Sequence, residues 1–238
     1  MNDIFSRQSG EYSKEISRDF FKSVYSYMFG ALAISGLIAY MAGTPEFFTQ
    51  YFLNAEGTGL AASFYIVAFA PLGLGLLIQM AYRRLSFGLL LLLFMLYSVL
   101  MGLSLSTVML VYSGQDIAIT FFVAAGAFGG MAVLGYTTKT DLTKFGSLMY
   151  MAFIGIFIAG IANFFIGSSM LDFWISVIGV FVFTGLTAYY MQQLKGISQD
   201  QSLTGMDRNK LAIVGGLMLY ILFINLFMSL LRLMGSSD

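Results

Sequence analysis

Seven long apolar stretches, joined by polar connections, constrain the fold of this chain more than any other feature. Each has about 20 residues or more, the length with which an α-helix crosses the hydrocarbon core of a bilayer. Regular alternation of polar and apolar residues, the pattern of a membrane β-strand, is absent from the sequence. We therefore predict an all-α membrane protein with seven transmembrane helices. The predicted spans are residues 22–42, 60–82, 85–112, 117–137, 145–166, 173–191 and 211–233.

The composition excludes a water-soluble fold of this size. Of the 238 residues, 58% are hydrophobic and 10% are charged, whereas a typical soluble domain has about 25% charged residues. The net charge is zero, so we expect no nucleic-acid partner. Histidine and cysteine are absent, which excludes disulfides, thiol chemistry and imidazole catalysis. We accordingly expect neither an enzyme nor a bound cofactor, and we expect the lipid bilayer as the surrounding partner.

The first 21 residues are polar and of mixed charge, so no cleavable signal sequence is predicted. We interpret residues 1–21 as a cytoplasmic N-terminal segment and residues 22–234 as a single transmembrane domain. The third stretch, 85–112, is longer than a bilayer requires, which predicts tilting or extension beyond the headgroups. Residues 43–59 and 192–210 are predicted to be the longer connections.

The distribution of lysine and arginine predicts the orientation, because cytoplasmic loops carry an excess of these residues. Only Arg232 falls on one side, together with the acidic residues Glu46, Glu56, Asp116 and Asp172. We therefore predict a cytoplasmic N-terminus and an external C-terminus. The eleven positive residues on the predicted cytoplasmic side are Arg7, Lys14, Arg18, Lys22, Arg83, Arg84, Lys139, Lys144, Lys195, Arg208 and Lys210.

Small residues at helical spacing predict places where spans approach closely. The pairs are Ala31 with Ser35, Gly126 with Gly130, and Gly155 with Ala159 beside Gly160. Simple helix packing is the favoured interpretation, and a crossing point beside a pathway is the alternative. Pro71 predicts a kink in the second span, because proline removes a backbone hydrogen bond.

Three stretches carry a resemblance to a known family. The first, GYTTKTDLTKFG, occupies 135–146 between the fourth and fifth spans. The second, FTGLTAYYMQQLK at 183–195, closes the sixth span, and the third, LYILFINLF at 219–227 with LLR at 230–232, lies in the seventh. In order, spacing and placement they resemble the Bax inhibitor-1 family, the transmembrane Bax-inhibitor-motif proteins that include the bacterial YccA group.

The resemblance implies a seven-helix fold in which the last helix is central, and a bacterial plasma (inner) membrane location. It also implies calcium leak across membranes, suppression of cell death in eukaryotes, and modulation of membrane-protein quality control in bacteria. In the pH-sensitive leak members, an aspartate on each of the last two spans shares a proton and holds the pore closed. Ionising both of two neighbouring carboxyl groups in a low-dielectric environment is energetically unfavourable. Their protonation is therefore coupled to the conformation of the protein.

This chain departs from the family pattern at those two positions. Tyr190 stands where the pattern places the first aspartate, and Leu222 stands where it places the second. Tyrosine has a reference pKa of about 10, and leucine does not titrate. We therefore do not expect pH gating through a carboxylate pair.

Neutral polar side chains are the remaining candidates for a pathway, because no acidic or basic residue lies deep within a predicted span. The favoured alternative is that they make interhelical hydrogen bonds, each worth about 1 kcal/mol. The candidate pathway-lining residues are Asn163, Thr184, Thr187, Tyr190 and Asn225.

Lys139 and Asp141 form a candidate cytoplasmic motif within the first of the three stretches. Asp141 could pair with a cytoplasmic arginine and gate the inner mouth. The favoured interpretation is a helix cap, in which Thr140 or Asp141 accepts a hydrogen bond from a free amide at the start of the fifth span. Asp172 is interpreted as the corresponding cap of the sixth span.

Two functions remain open from the sequence. The leading hypothesis is a Bax inhibitor-1-type leak for calcium or other cations, in which calcium is transported and not held as a cofactor; whether a metal is bound is unknown. The alternative is a non-conducting regulator that binds another membrane protein, such as a quality-control protease, through the segment 1–21.

Overall fold

The computed structural model describes residues 2–54, 56–200 and 202–235, with side chains described from Lys14 onward. Of the described residues, 86% are helical. Met1 and the side chains of residues 2–13, which include Arg7, therefore lie outside the described part of the predicted N-terminal segment. The described ranges contain nine helices: α1 (Asn2–Ala42), α2 (Pro45–Phe52), α3 (Ala62–Ala81), α4 (Phe87–Leu105), α5 (Val108–Val111), α6 (Gly114–Thr137), α7 (Thr143–Ile166), α8 (Ser169–Gln199) and α9 (Gly205–Met234).

Seven helical segments are long and apolar enough to cross a membrane, which confirms the predicted all-α, seven-span architecture. The first span lies in α1, which continues without a break from Asn2 through the polar segment to Ala42. The last is the most buried, with 72% of its most apolar window inside the protein, in agreement with a central last helix. The division into residues 1–21 and a single domain 22–234 stays a prediction.

The helices group into two compact units. The first comprises the chain up to Val111 together with Ser198–Tyr220, and the second comprises Tyr112–Ile197 together with the chain from Ile221 onward. Helix α9 therefore contributes its first half to one unit and its second half to the other.

A hydrogen-bonded contact between α1, α4 and α9 lies in the core of the first unit. The hydroxyl oxygens of Ser35 and Tyr220 lie 2.6 Å apart, and Ser35 Oγ also lies 2.7 Å from the carbonyl oxygen of Ser98. Tyr220 is fully buried. A Cβ at Gly102 would lie 2.8 Å from the carbonyl oxygen of Ser35, so α1 and α4 meet here without an intervening side chain. The close approach predicted at Ala31 and Ser35 is confirmed.

The other two small-residue predictions are wrong. A Cβ added at Gly126, Gly130, Gly155 or Gly160 would meet no described atom within 4 Å. These glycines lie on open faces of α6 and α7, and small size alone does not show whether a face meets another helix or lipid.

Pro71 lies inside α3, and α4 provides the hydrogen bond that the proline removes. The carbonyl of Val67, four residues earlier, has no intrahelical N–H to accept because proline lacks one. Ser104 Oγ on α4 donates to this oxygen at 2.7 Å. The proline is therefore tolerated within a span because a neighbouring helix satisfies the freed carbonyl. The kink itself stays a prediction.

The long third stretch is interrupted instead of forming one straight helix. Helix α4 ends at Leu105 and α5 begins at Val108. Ser106 Oγ donates to the carbonyl of Leu103 at 2.7 Å, and Thr107 Oγ1 donates to that of Ser104 at 3.0 Å. Adjacent hydroxyl side chains satisfy backbone carbonyls locally, which permits the break that a purely apolar sequence would not support.

The predicted connection 43–59 contains the short helix α2. Thr44 caps it by accepting a hydrogen bond from the amide of Phe47 at 3.2 Å, and Pro45 occupies its first turn. The ring of Phe52 packs edge-on against that of Phe64 on α3, with centroids 5.8 Å apart. This aromatic contact ties the connection to the first unit.

In the second unit, α9 packs on α6 and α8. The ring of Phe223 lies 5.4 Å from Phe121 and 5.6 Å from Phe128, both on α6. A Cβ at Gly179 of α8 would lie 2.6 Å from Ser229 Oγ of α9. The two helices therefore approach closely where neither backbone is screened by a large side chain.

The predicted cap at Asp172 is wrong. Helix α8 begins at Ser169, and the hydroxyl of Ser168 accepts the hydrogen bond from the amide of Leu171 at 3.3 Å. Asp172 lies in the first turn and forms an ion pair with Arg232 of α9, with 3.3 Å between its Oδ1 and the Nη1 of the arginine. Both side chains are partly exposed, so the pair contributes little stability.

Replacing Ser104 with alanine tests whether its side chain satisfies the carbonyl that Pro71 leaves free. Ser104→Ala leaves the carbonyl of Val67 without a donor in apolar surroundings, and we expect a loss of about 1–2 kcal/mol in stability. Ser98→Ala on the same helix is the matched control, because Ser98 Oγ bonds to the carbonyl of Phe94 within α4. Thermal unfolding in detergent measures both variants, and equal destabilisation would contradict the account.

Candidate functional site

The first two sequence motifs meet in the second unit, where the turn between α6 and α7 packs on the end of α8. A side chain at Gly135 would collide with the backbone carbonyl of Ala188. A side chain at Gly146 would likewise collide with the ring of Tyr189. Both motif glycines are therefore required by close approach to α8, one on each side of the turn.

Gln192 of α8 holds the backbone of this turn with both ends of its amide. Its Oε1 accepts a hydrogen bond from the amide of Leu142 at 2.8 Å, and its Nε2 donates to the carbonyl of Thr140 at 2.8 Å. Lys195 Nζ donates to the carbonyl of Tyr136 at 2.8 Å and lies 5.2 Å from the centre of that ring. We call this arrangement of Gln192 and Lys195 on the α6–α7 turn the turn clamp.

Asp141 forms hydrogen bonds at the start of α7. Its Oδ1 accepts hydrogen bonds from the hydroxyl of Thr143 at 2.6 Å and from the amide of Thr143 at 2.9 Å. These two bonds, the hydroxyl first, lower the pKa of the Asp141 carboxyl from its ordinary value. The side chains of Asp141 and Lys139 are exposed. The arginine partner considered for Asp141 is not among its contacts in the described part of the chain.

Three of the candidate pathway residues donate a hydrogen bond to a carbonyl of their own helix. Thr187 Oγ1 donates to the carbonyl of Phe183 at 2.7 Å, and Thr184 Oγ1 donates to that of Val180 at 2.7 Å. Asn225 Nδ2 donates to the carbonyl of Ile221 at 2.8 Å. The expectation of interhelical hydrogen bonds is therefore wrong for these three residues. A carbonyl four residues earlier is always within reach of a short polar side chain on a helix.

Asn163 lies at the end of α7, away from the middle of the span. Its Oδ1 accepts a hydrogen bond from the amide of Ser168 at 2.9 Å, and its carbonyl accepts one from the amide of Gly167 at 2.7 Å. Gly167 has a φ of 69°, the left-handed conformation in which helices commonly end. In this structure Asn163 shapes the connection between α7 and α8.

Tyr190 makes the interhelical hydrogen bond that the sequence predicted, but to a residue that the sequence motifs do not include. Its hydroxyl bonds to the hydroxyl of Tyr150 on α7, and the two ring centroids lie 6.2 Å apart. Leu222, at the other family aspartate position, is buried, with 3% of its surface exposed. The polar group on α8 is therefore paired with α7, whereas the corresponding position on α9 is apolar. The sequence contains no signal that indicates Tyr150 as the partner of Tyr190.

No group of three or more acidic side chains that could hold a metal ion occurs among the described residues. The oxygens that the candidate pathway residues on α7, α8 and α9 offer are neutral, from hydroxyl, amide and carbonyl groups. Whether they contact an ion stays a prediction.

Replacing Gln192 tests the turn clamp. Gln192→Ala removes both hydrogen bonds to the turn, and we expect amide hydrogen exchange at residues 140–146 to accelerate by about tenfold. Gln193→Ala is the matched control, because Gln193 is exposed. Exchange measured by mass spectrometry that is unchanged in Gln192→Ala, or equally fast in both variants, would exclude the clamp.

Comparison with known proteins identifies the family. A family model described as an inhibitor of apoptosis-promoting Bax1 matches residues 17–238. The inner membrane protein YbhL of Escherichia coli strain K12 is 40% identical over 216 residues, which cover 90% of this chain and 89% of the relative. An uncharacterized protein of Caulobacter vibrioides is 40% identical over 226 residues, covering 92% and 89%. Another, from Borreliella burgdorferi, is 38% identical over 220 residues, covering 92% and 93%. Together with the seven spans, these matches confirm the resemblance seen in the motifs: this integral membrane protein belongs to the Bax inhibitor-1 family.

Proposed function

We propose that this protein is a passive leak for calcium or other cations in a bacterial inner membrane, and that no carboxylate pair switches its conduction. The proposed orientation has the N-terminus in the cytoplasm and the C-terminus outside, as the distribution of positive charge predicts. The inner-membrane assignment of the relative YbhL supports the location. The proposed transport is passive and involves no catalytic step.

The observation that carries the proposal is the hydrogen bonding of the polar side chains on α8 and α9. Thr184, Thr187 and Asn225 each donate a hydrogen bond to a backbone carbonyl of their own helix. The hydroxyl oxygens of the two threonines therefore act toward other groups as acceptors, as the amide oxygen of Asn225 does. Neutral oxygen acceptors favour a cation over an anion, because they replace part of its hydration shell.

The same chemistry supports conduction that does not depend on pH. Neither Tyr190 nor Leu222 supplies a carboxylate, and the chain contains no histidine. Histidine is the side chain whose unperturbed pKa lies between pH 5 and 8. In this interval no side chain with an ordinary pKa changes its charge, so the driving force for a proton-linked switch is missing.

Calcium flux into liposomes tests the proposal. We expect flux above that of protein-free vesicles, with little change between about pH 6 and pH 7.5. The combined variant Tyr190→Asp with Leu222→Asp places two carboxylates at the family positions, and we expect its flux to become pH-dependent. Tyr190→Asn with Leu222→Asn is the neutral matched control and should stay pH-independent.

Indistinguishable flux from protein-loaded and empty vesicles would exclude the leak. Strong pH dependence in the unmodified protein would exclude the proposed absence of a proton switch, even if the protein conducts.

A further inference from the structure

Helix α7 is the least buried span of the second unit. None of the residues in its most apolar window is buried, compared with 39% for α8. The second half of α7 presents large apolar side chains outward, including Ile158 and Phe165, which are 61% and 79% exposed. Contacts of α7 with α8 occur in its first half.

These contacts join residues 145–153 of α7 to residues 183–190 of α8. A Cβ at Gly185 would lie 3.0 Å from the Cγ of Met149, and the rings of Phe153 and Phe183 have centroids 6.0 Å apart. The bond between the hydroxyls of Tyr150 and Tyr190 is the polar contact within this group. Apolar contacts between helices exchange readily with lipid contacts, because lipid tails are as apolar as the side chains. A hydroxyl pair does not, since lipid tails offer no hydrogen-bond partner.

We propose that Tyr150 and Tyr190 form a latch that holds α7 against α8, and that release of this latch opens the pathway. The functional consequence rests on the proposed cation leak, whereas the latch itself is a property of the two helices. Tyr150 and Tyr190 act as positioning residues through each other's hydroxyl groups. Phenylalanine at either position keeps the ring packing and removes the hydrogen bond.

The absence of cysteine from the chain allows a direct measurement of the distance between α7 and α8. Since the Cβ of Met149 is one bond from its Cγ, the Cβ atoms at positions 149 and 185 lie within about 4.5 Å, which suits a disulfide. We introduce Met149→Cys with Gly185→Cys and follow disulfide formation after addition of an oxidant. In the background of Tyr150→Phe or of Tyr190→Phe, we expect crosslinking about fivefold slower, because one hydrogen bond no longer holds the helices together.

Tyr189→Phe is the matched control, because Tyr189 is adjacent and aromatic, and its hydroxyl has no hydrogen-bond partner among the described residues. Its crosslinking rate should equal that of the unmodified background. Equal rates in all four backgrounds would overturn the latch, whether or not the protein conducts.

Flux measurements then connect the latch to the pathway. We expect calcium flux to rise about fivefold in Tyr150→Phe and in Tyr190→Phe, and no further in the double variant, because both changes remove the same bond. Oxidation of the cysteine pair in the Tyr190→Phe background should return flux to the unmodified level, and a reductant should raise it again. Slower crosslinking with unchanged flux would overturn the gating role. If no variant gives flux above that of empty vesicles, the proposed leak is overturned. The crosslinking rates then still test the latch.

If the cysteine pair prevents folding, a double-mutant cycle of thermal unfolding tests whether the hydroxyls of Tyr150 and Tyr190 are paired. Tyr150→Phe and Tyr190→Phe should lower the unfolding temperature by similar amounts, and the double variant should be no less stable than either. Additive losses in the double variant would show that the two hydroxyls act independently and would overturn the latch.

Discussion

The hydrocarbon core of a bilayer offers no hydrogen-bond partner, so every polar group on a spanning helix must be satisfied inside the protein. Thr187 meets this requirement within its own helix, whereas Ser35 and Tyr220 meet it by joining two helices. Ser104 satisfies the carbonyl that Pro71 leaves free on α3. Ser176 is the contrasting case, since its buried hydroxyl has no partner in the described part of the chain. Satisfaction of polar groups thus decides which helices are joined by more than apolar contact.

The seven spans were predictable because hydrophobic length is a property of each segment alone. The three motifs were sufficient to identify the family. The role of Gln192 was not predictable, because its partners Thr140 and Leu142 are backbone groups that any sequence would provide. The first two motifs therefore reflect how the α6–α7 turn packs on α8, and they carry no direct information about conduction.

Other features could not be read from the sequence because they depend on which face of a helix meets a neighbour. Gly130 and Gly102 look alike in the sequence, but only Gly102 lies against another helix. Asp172 has the composition of a cap and instead pairs with Arg232, since Ser168 begins the helix earlier than the hydropathy pattern predicts. Tyr150 lies outside every motif, yet it bonds to the residue at a family aspartate position. In each case the missing information is a contact between distant parts of the chain.

In the proposed leak, neutral oxygens and not carboxylates form the conducting route. Current recorded across a planar bilayer containing the protein, with a potassium chloride gradient, tests this most directly. We predict a reversal potential close to the equilibrium potential of the cation, at both acidic and neutral pH. A reversal potential close to that of chloride, or no current above that of the bare bilayer, would contradict it.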